Sequence, residues 1–164
     1  MDNDSYVEVG KKRIGLDYPT YFIADIAANW DGSIERAKDL IHLAAESGAD
    51  AAKFQNFTAD TIISSKSFEA MEGKLSHQAS WKDSVYEVYD KASLPLKWTL
   101  ELKQTCDDVG IHYFTTPYEI SFINSLKDHV VGWKLGSGDI TWHDHIRTMA
   151  ELDMPFFIAT GAST

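Results

Sequence analysis

Two lysines stand in apolar surroundings. Lys53 lies in Ala51-Ala52-Lys53-Phe54-Gln55, and Lys134 lies in the apolar run at 130–139. A charge in such a run is costly unless it is paired or used. Two cations on two strands suit an anionic ligand; the plain alternative is a structural ion pair, with Asp25 or Asp139 as the acid. Lys53 and Gln55 are two residues apart, so in a strand they point to one face. Gly136-Ser137-Gly138-Asp139 follows the Lys134 run. Its small residues would let a ligand reach the backbone, and its acid sits at the strand's end. Taken alone it reads as an ordinary strand-to-helix turn. Thr115-Thr116-Pro117 and Thr160-Gly161-Ala162-Ser163-Thr164 offer hydroxyls and amides at other strand ends, and Asp25 and Asn29 add a carboxylate and an amide. Their weight comes from five strand ends agreeing on polar residues.

The elements that must position these groups follow from the hydrophobic pattern. Residues 6–15 alternate around Gly10-Lys11 and predict a small β-hairpin. Apolar runs at 21–27, 51–55, 111–115, 131–135 and 156–160 predict five strands. Between the first two, Ser33 caps a helix whose apolar face is Ile34, Ala37, Leu40, Ile41, Ala44 and Ala45, ending at Gly48. Leu94-Pro95 starts a helix running to about Val109, with Gly110 after its end. Helices over 119–126 and 144–152 separate the remaining strands. The stretch 56–93 is long for a connection and carries a short helix over 81–90, which suggests a binding loop. Strands alternating with helices, with polar chemistry at the strand ends, predict a parallel α/β enzyme. Five strands with no covering helix after the last read as an interrupted barrel, so the chain reads as the N-terminal part of a longer protein. An open, doubly wound sheet is the competing architecture. Against it, Ala27-Ala28-Asn29-Trp30-Asp31-Gly32 is no dinucleotide fingerprint.

Composition excludes several classes. The 164 residues are 44% hydrophobic and 24% charged, with a net charge of −10, and no cluster of Lys and Arg stands out, which argues against nucleic acid. Met1-Asp2-Asn3-Asp4-Ser5 lacks the apolar core of a signal peptide, and no apolar run approaches membrane-spanning length. The expected location is the cytoplasm. Cys106 is the single cysteine and reads as a buried, inert thiol. Of the six histidines, His143 and His145 are two apart and do not share a helix face, so surface or capping roles are expected of both. His42 falls mid-helix, His112 sits in a strand, and His77 reads as a solvated loop residue. Trp81, Tyr86, Tyr89 and Trp98 fall at helical spacings and are expected in the core.

Five motifs now occur in a recognisable order: Ala24-Asp25-Ile26-Ala27-Ala28-Asn29-Trp30-Asp31-Gly32, Ala51-Ala52-Lys53-Phe54-Gln55, Phe114-Thr115-Thr116-Pro117-Tyr118, Lys134-Leu135-Gly136-Ser137-Gly138-Asp139 and Ala159-Thr160-Gly161-Ala162-Ser163-Thr164. The chain resembles the N-acetylneuraminate (sialic acid) synthase family over nearly its whole length. The resemblance implies the first five βα units of a (β/α)8 TIM-type barrel. The hairpin would occupy 1–15 and barrel strands 1 to 5 residues 16–164. The later strands and a small C-terminal antifreeze-like domain would lie beyond. It implies condensation of phosphoenolpyruvate with an N-acylated amino sugar such as N-acetylmannosamine, with release of phosphate. It also implies a homodimer when complete and a divalent metal, Mn2+ or Mg2+, whose histidine ligands lie beyond Thr164.

By the same resemblance, Lys53, Thr116 and Lys134 would hold the carboxylate end of phosphoenolpyruvate. Ser137 would help hold its phosphate, and Gln55 would line the same pocket. Asp25 and Asp139 would be the catalytic acids, each one methylene shorter than the family's usual glutamate. Trp30 stands where the family has histidine in Asn-His-x-Gly, and Ala159 where serine or threonine is common. These departures indicate a divergent subgroup. The alternatives are another phosphoenolpyruvate-condensing aldolase-type barrel that uses a phosphorylated sugar, or a non-catalytic truncated fragment.

Overall fold

The computed structural model describes residues 5–64, 66–67, 81–161 and 163. Strands β1 (Val7–Val9) and β2 (Lys12–Ile14) pair antiparallel, with Val7 opposite Ile14. The turn between them passes through Gly10 at φ 60°, and a Cβ there would sit 2.7 Å from the His112 ring. Both the backbone and the close approach require glycine.

Five further strands, β3 (Ile23–Ala27), β4 (Ala51–Asn56), β5 (His112–Pro117), β6 (Trp133–Leu135) and β7 (Phe156–Ile158), form one parallel sheet in chain order. Helix α1 (Ile34–Glu46) joins β3 to β4. Short helices α2 (Ala59–Ile62) and α3 (Val85–Lys91) precede α4 (Thr99–Asp108) on the way to β5. Helices α5 (Ile120–Leu126) and α6 (His143–Ala150) complete the last two crossovers. Parallel neighbours in sequential order with helical connections are the first part of a (β/α)8 barrel, as the resemblance implied.

Local chemistry sets the element ends. Ser33 accepts a hydrogen bond from the Arg36 amide and caps α1, and the chain leaves α1 through Gly48 at φ 83°. Pro95 is extended (φ −60°, ψ 122°), so the expected helix from Leu94 begins late: a 3-10 turn at Leu96–Trp98 leads into α4. Strand β6 begins two residues later than its apolar run, beyond Gly132. There the Pro155 carbonyl approaches so closely that a Cβ would lie 2.6 Å from it.

The sheet has two buried faces. On the outer one, Ile26, Ala52, Phe54, Tyr113, Trp133 and Leu135 pack against Ala37, Ile41, Leu102, Ile123 and Met149 of the helices. On the inner one, Val9 of the hairpin packs on Ala51 and Phe114, flanked by Ile14, Tyr21, Ile23, Val131 and Phe157. The hairpin therefore stoppers the barrel where its strands begin. Lys12 pairs with Asp50, which also accepts from the Phe22 amide at 2.6 Å and fixes that stopper to the β3–β4 edge.

Candidate active site

The alternation of a strand decides which side chains enter the barrel. On β4 the inward residues are Ala51, Lys53 and Gln55; on β5 they are His112, Phe114 and Thr116. The first member of each series is near the stopper and the last is at the open mouth. In register, Asp25 of β3 lies beside Lys53, and Gln55 lies beside Thr116. Lys134 is the inward residue of β6, between the buried Trp133 and Leu135. Asp25, Lys53, Gln55, Thr116 and Lys134 thus share the inner face. Ser137 and Asp139 stand above it, on the 3-10 turn Ser137–Asp139 that follows β6.

The structural ion pair is present: Lys53 Nζ is 2.7 Å from Asp25 Oδ1. The pair is lopsided, with the Lys53 side chain 10% exposed and that of Asp25 61% exposed. An acid so open to water is screened and can yield its partner to a better anion. Lys134 has no salt bridge among the described residues, and its ammonium donates to the Leu135 carbonyl at 2.5 Å. Its pKa is held below the usual lysine value, first by burial and next by repulsion from Lys53, with Asp25 and Asp139 opposing. A group of the opposite sign between the two lysines would relieve that repulsion.

The Asp139 carboxyl is pushed above the usual range by burial, with His145 and Lys134 pulling it down. Gly136 makes room for it: a Cβ there would sit 2.6 Å from Asp139 Oδ2 and 3.2 Å from the Tyr118 ring. Tyr118 in turn accepts a long hydrogen bond from Gln55 Nε2, at 3.4 Å. Its phenol is raised by burial, then by Asp139, Tyr89 and Asp25. Thr116 is buried, whereas Ser137 is exposed beneath Gly161, where a Cβ would lie 3.3 Å from Ser137 Cβ. Strand β3 ends in a register shift, with Ala27 at φ 53°, a strained conformation for a residue with a Cβ.

Other expected residues go elsewhere. Thr115 faces the outer side and donates to Asn56 Oδ1 at 2.6 Å. Asn29 donates to the Ile26 carbonyl and steadies the turn after β3. His42 and His143 are exposed, and His77, Ala162 and Thr164 lie outside the described residues. The expectation for His145 is corrected. It is fully buried, because it lies one helical turn before Met149 on the face of α6 that meets the sheet. That spacing was the signal available in the sequence. Tyr118 also belongs to the site, and its position directly after Pro117 at a strand's end is the sequence signal for it.

The buried Cys106 thiol is pushed up to about 12 by burial, which makes it inert. Of the four aromatics expected in the core, Trp98 packs against it, edge-on to the buried Trp30, whereas Trp81, Tyr86 and Tyr89 are half-buried and Tyr86 donates to Asp60 on the surface. Among the described residues no three His, Cys, Asp or Glu side chains converge to hold a metal. Among them, too, no helix is long and apolar enough to cross a membrane.

A parallel barrel segment with polar groups gathered at the carboxyl ends of its strands has the layout of barrel enzymes. Residues 40–164 match the NeuB family, and the chain belongs to it. Pseudaminic acid synthase of Campylobacter jejuni is 32% identical over 152 residues, covering 90% of this chain and 43% of that protein. N,N'-diacetyllegionaminic acid synthase of Legionella pneumophila is 32% identical over 155 residues, covering 93% and 42%. The crystal structure of N-acetylneuraminic acid (sialic acid) synthetase from Leptospira borgpetersenii superposes with a TM-score of 0.80 at 23% identity. That match covers 98% of this chain and 51% of the other, and shows the fold. The chain spans about two fifths of the length of these curated relatives.

Proposed function

We propose that this chain supplies the phosphoenolpyruvate half of a nonulosonic acid synthase, which joins phosphoenolpyruvate to an N-acylated amino sugar and releases phosphate. The observation that carries this reading is the convergence of Lys53 and Lys134 on the inner face, one lightly held by an exposed acid and one without an acid of its own. Lys53, Lys134 and Thr116 bind the carboxylate, Ser137 contacts the phosphate, and Gln55 lines the cleft. The lysines fix and neutralise a substrate of high negative charge.

The enol carbon then attacks the sugar's aldehyde carbon and forms the new carbon–carbon bond, as the carbonyl π bond opens to an alkoxide that takes a proton from solvent. The other enol carbon becomes cationic and is captured by water. Asp139 orients that water and takes its proton, and the carbon–oxygen bond to phosphate breaks. Asp25 serves the sugar side. When bound, a divalent metal would supply Lewis-acid polarisation of the aldehyde. The described residues do not form its site, so its ligands would come from further strands. Residues 16–164 would be strands 1 to 5 of the barrel behind the hairpin at 1–15. A C-terminal antifreeze-like domain would complete a cytoplasmic homodimer.

The test uses phosphoenolpyruvate carrying heavy oxygen at the bridge, given to the complete protein with N-acetylmannosamine and manganese. The label is expected to leave with inorganic phosphate as a nine-carbon keto acid forms. Label retained in the keto acid would refute the mechanism. Turnover only with a phosphorylated sugar would move the chain to the alternative barrel chemistry.

A further inference from the structure

The proposed mechanism leaves the attacking water to one side chain, Asp139. A second polar group stands beside it. The Tyr118 amide donates to the Asn56 carbonyl at 2.9 Å, so the chain leaving β5 keeps its ladder for one more residue and Tyr118 keeps the inward parity of Thr116. Its ring is set against the buried Phe57, edge-on at 6.0 Å, and its hydroxyl accepts from Gln55 Nε2 at 3.4 Å. Across from it, beyond β6, the point that a Cβ would occupy on Gly136 is 2.6 Å from Asp139 Oδ2 and 3.5 Å from the Tyr118 hydroxyl oxygen. Phenol and carboxylate therefore flank one spot, kept open by a glycine. Both residues are half-buried. Among the described residues no hydrogen bond joins the two oxygens, the Asp139 carboxylate accepts none, and the phenol has Gln55 as its one hydrogen-bond partner. Two polar groups that share a spot without bonding each other are an ordinary seat for a bridging water.

We propose that Tyr118 is a further catalytic residue, which holds the attacking water jointly with Asp139. The inference rests on the role given to Asp139 above. A water held by one acceptor swings about that bond, and a second acceptor fixes the direction of its lone pair. One hydrogen of the water points to Asp139 and the other to the phenol oxygen, which also takes the Gln55 amide. When the water oxygen bonds to the cationic carbon, its first proton passes to Asp139. The second stays on the new hydroxyl, still hydrogen-bonded to Tyr118. Tyr118 itself gives and takes no proton: burial, then Asp139, Tyr89 and Asp25, hold its pKa above the usual phenol value, so it stays neutral. The plain alternative is a packing tyrosine, whose ring matters and whose hydroxyl does not.

Two measurements on the complete protein decide between them. The first is a crystal structure of the parent and of Tyr118→Phe, which keeps the ring and its contact with Phe57. The parent is expected to hold a water within hydrogen-bond distance of both the Tyr118 hydroxyl and the Asp139 carboxylate, and the variant to lose it. A parent with no such water, or a variant that keeps it unmoved, overturns the proposal, whether or not the protein makes a keto acid. The second is single-turnover kinetics with phosphoenolpyruvate, N-acetylmannosamine and manganese. Tyr118→Phe is expected to react about tenfold more slowly, with phosphoenolpyruvate affinity within about twofold of the parent and with a larger solvent deuterium isotope effect. A rate like the parent's, or a slower one with the isotope effect unchanged, leaves only the packing role and overturns the proposal. A bridging water in a protein that forms no keto acid would sustain the shared water and refute the function proposed above. If Tyr118→Phe fails to fold, the parent's water alone decides.

Discussion

At the scale of single residues, the site is a set of unequal charges. Removing either inward lysine should weaken phosphoenolpyruvate binding by about 2–4 kcal/mol, because an anion would be left facing a buried vacancy. Calorimetric titration of Lys53→Ala and Lys134→Ala at fixed metal concentration checks this, and parent-like affinity in both places the anion elsewhere. Affinity should also fall as pH rises towards the lowered pKa of Lys134, since the free protein loses that proton earlier than an ordinary lysine would. Asp139 makes a separate prediction. Its folded pKa is raised, so its contribution to stability is fully present below the ordinary aspartate value and is lost as pH climbs through the raised one. Asp139→Asn should therefore be more stable than the parent at pH 7, by roughly 1 kcal/mol or less given partial exposure, and no more stable near pH 3. Thermal melts at the two pH values test the sign. The same variant should lower kcat much more than it weakens substrate binding. The parity of β4 was legible in its sequence, so the shared face of Lys53 and Gln55 could be read before any fold was known. The meeting of Asp139 with Tyr118 was not, because it depends on a glycine that lets two side chains crowd one point.

At the scale of elements, two backbone details carry consequences. Gly136→Ala should displace both Asp139 and Tyr118, since the added carbon would sit 2.6 Å from one and 3.2 Å from the other. A loss of turnover of at least tenfold, with the melting temperature less affected, is the expected result of steady-state kinetics and calorimetry on that variant. Ala27, at φ 53°, should gain about 1 kcal/mol on replacement by glycine, which adopts that conformation without strain. Denaturant titration measures it, and a destabilised Ala27→Gly would show that the end of β3 is not strained. Helix ends marked by Ser33 and Gly48 were readable because capping is local chemistry. The late start of β6 was not, because it follows from the Pro155 carbonyl pressing against Gly132, a contact between distant parts of the chain.

At the scale of the molecule, the five-stranded sheet ends at β3 on one side and β7 on the other. Phe22, Leu43 and Ile158 are 60%, 58% and 47% exposed along those margins. Unpaired parallel edges with apolar neighbours pair with other chains. Residues 1–164 expressed alone should self-associate, and light scattering should show less association for Ile158→Lys. A soluble, catalytically active monomer would show that five strands suffice. The hairpin under the sheet has a different outcome. Val9, Ala51 and Phe114 are each inaccessible to solvent, so nothing passes through the bottom of the barrel. Asp25, Lys53 and Lys134 lie nearer that floor, and Ser137 and Asp139 lie nearer the rim. A reactant settled on the lysines would lie beneath one held at the rim, so the expected order of loading runs from the floor upward.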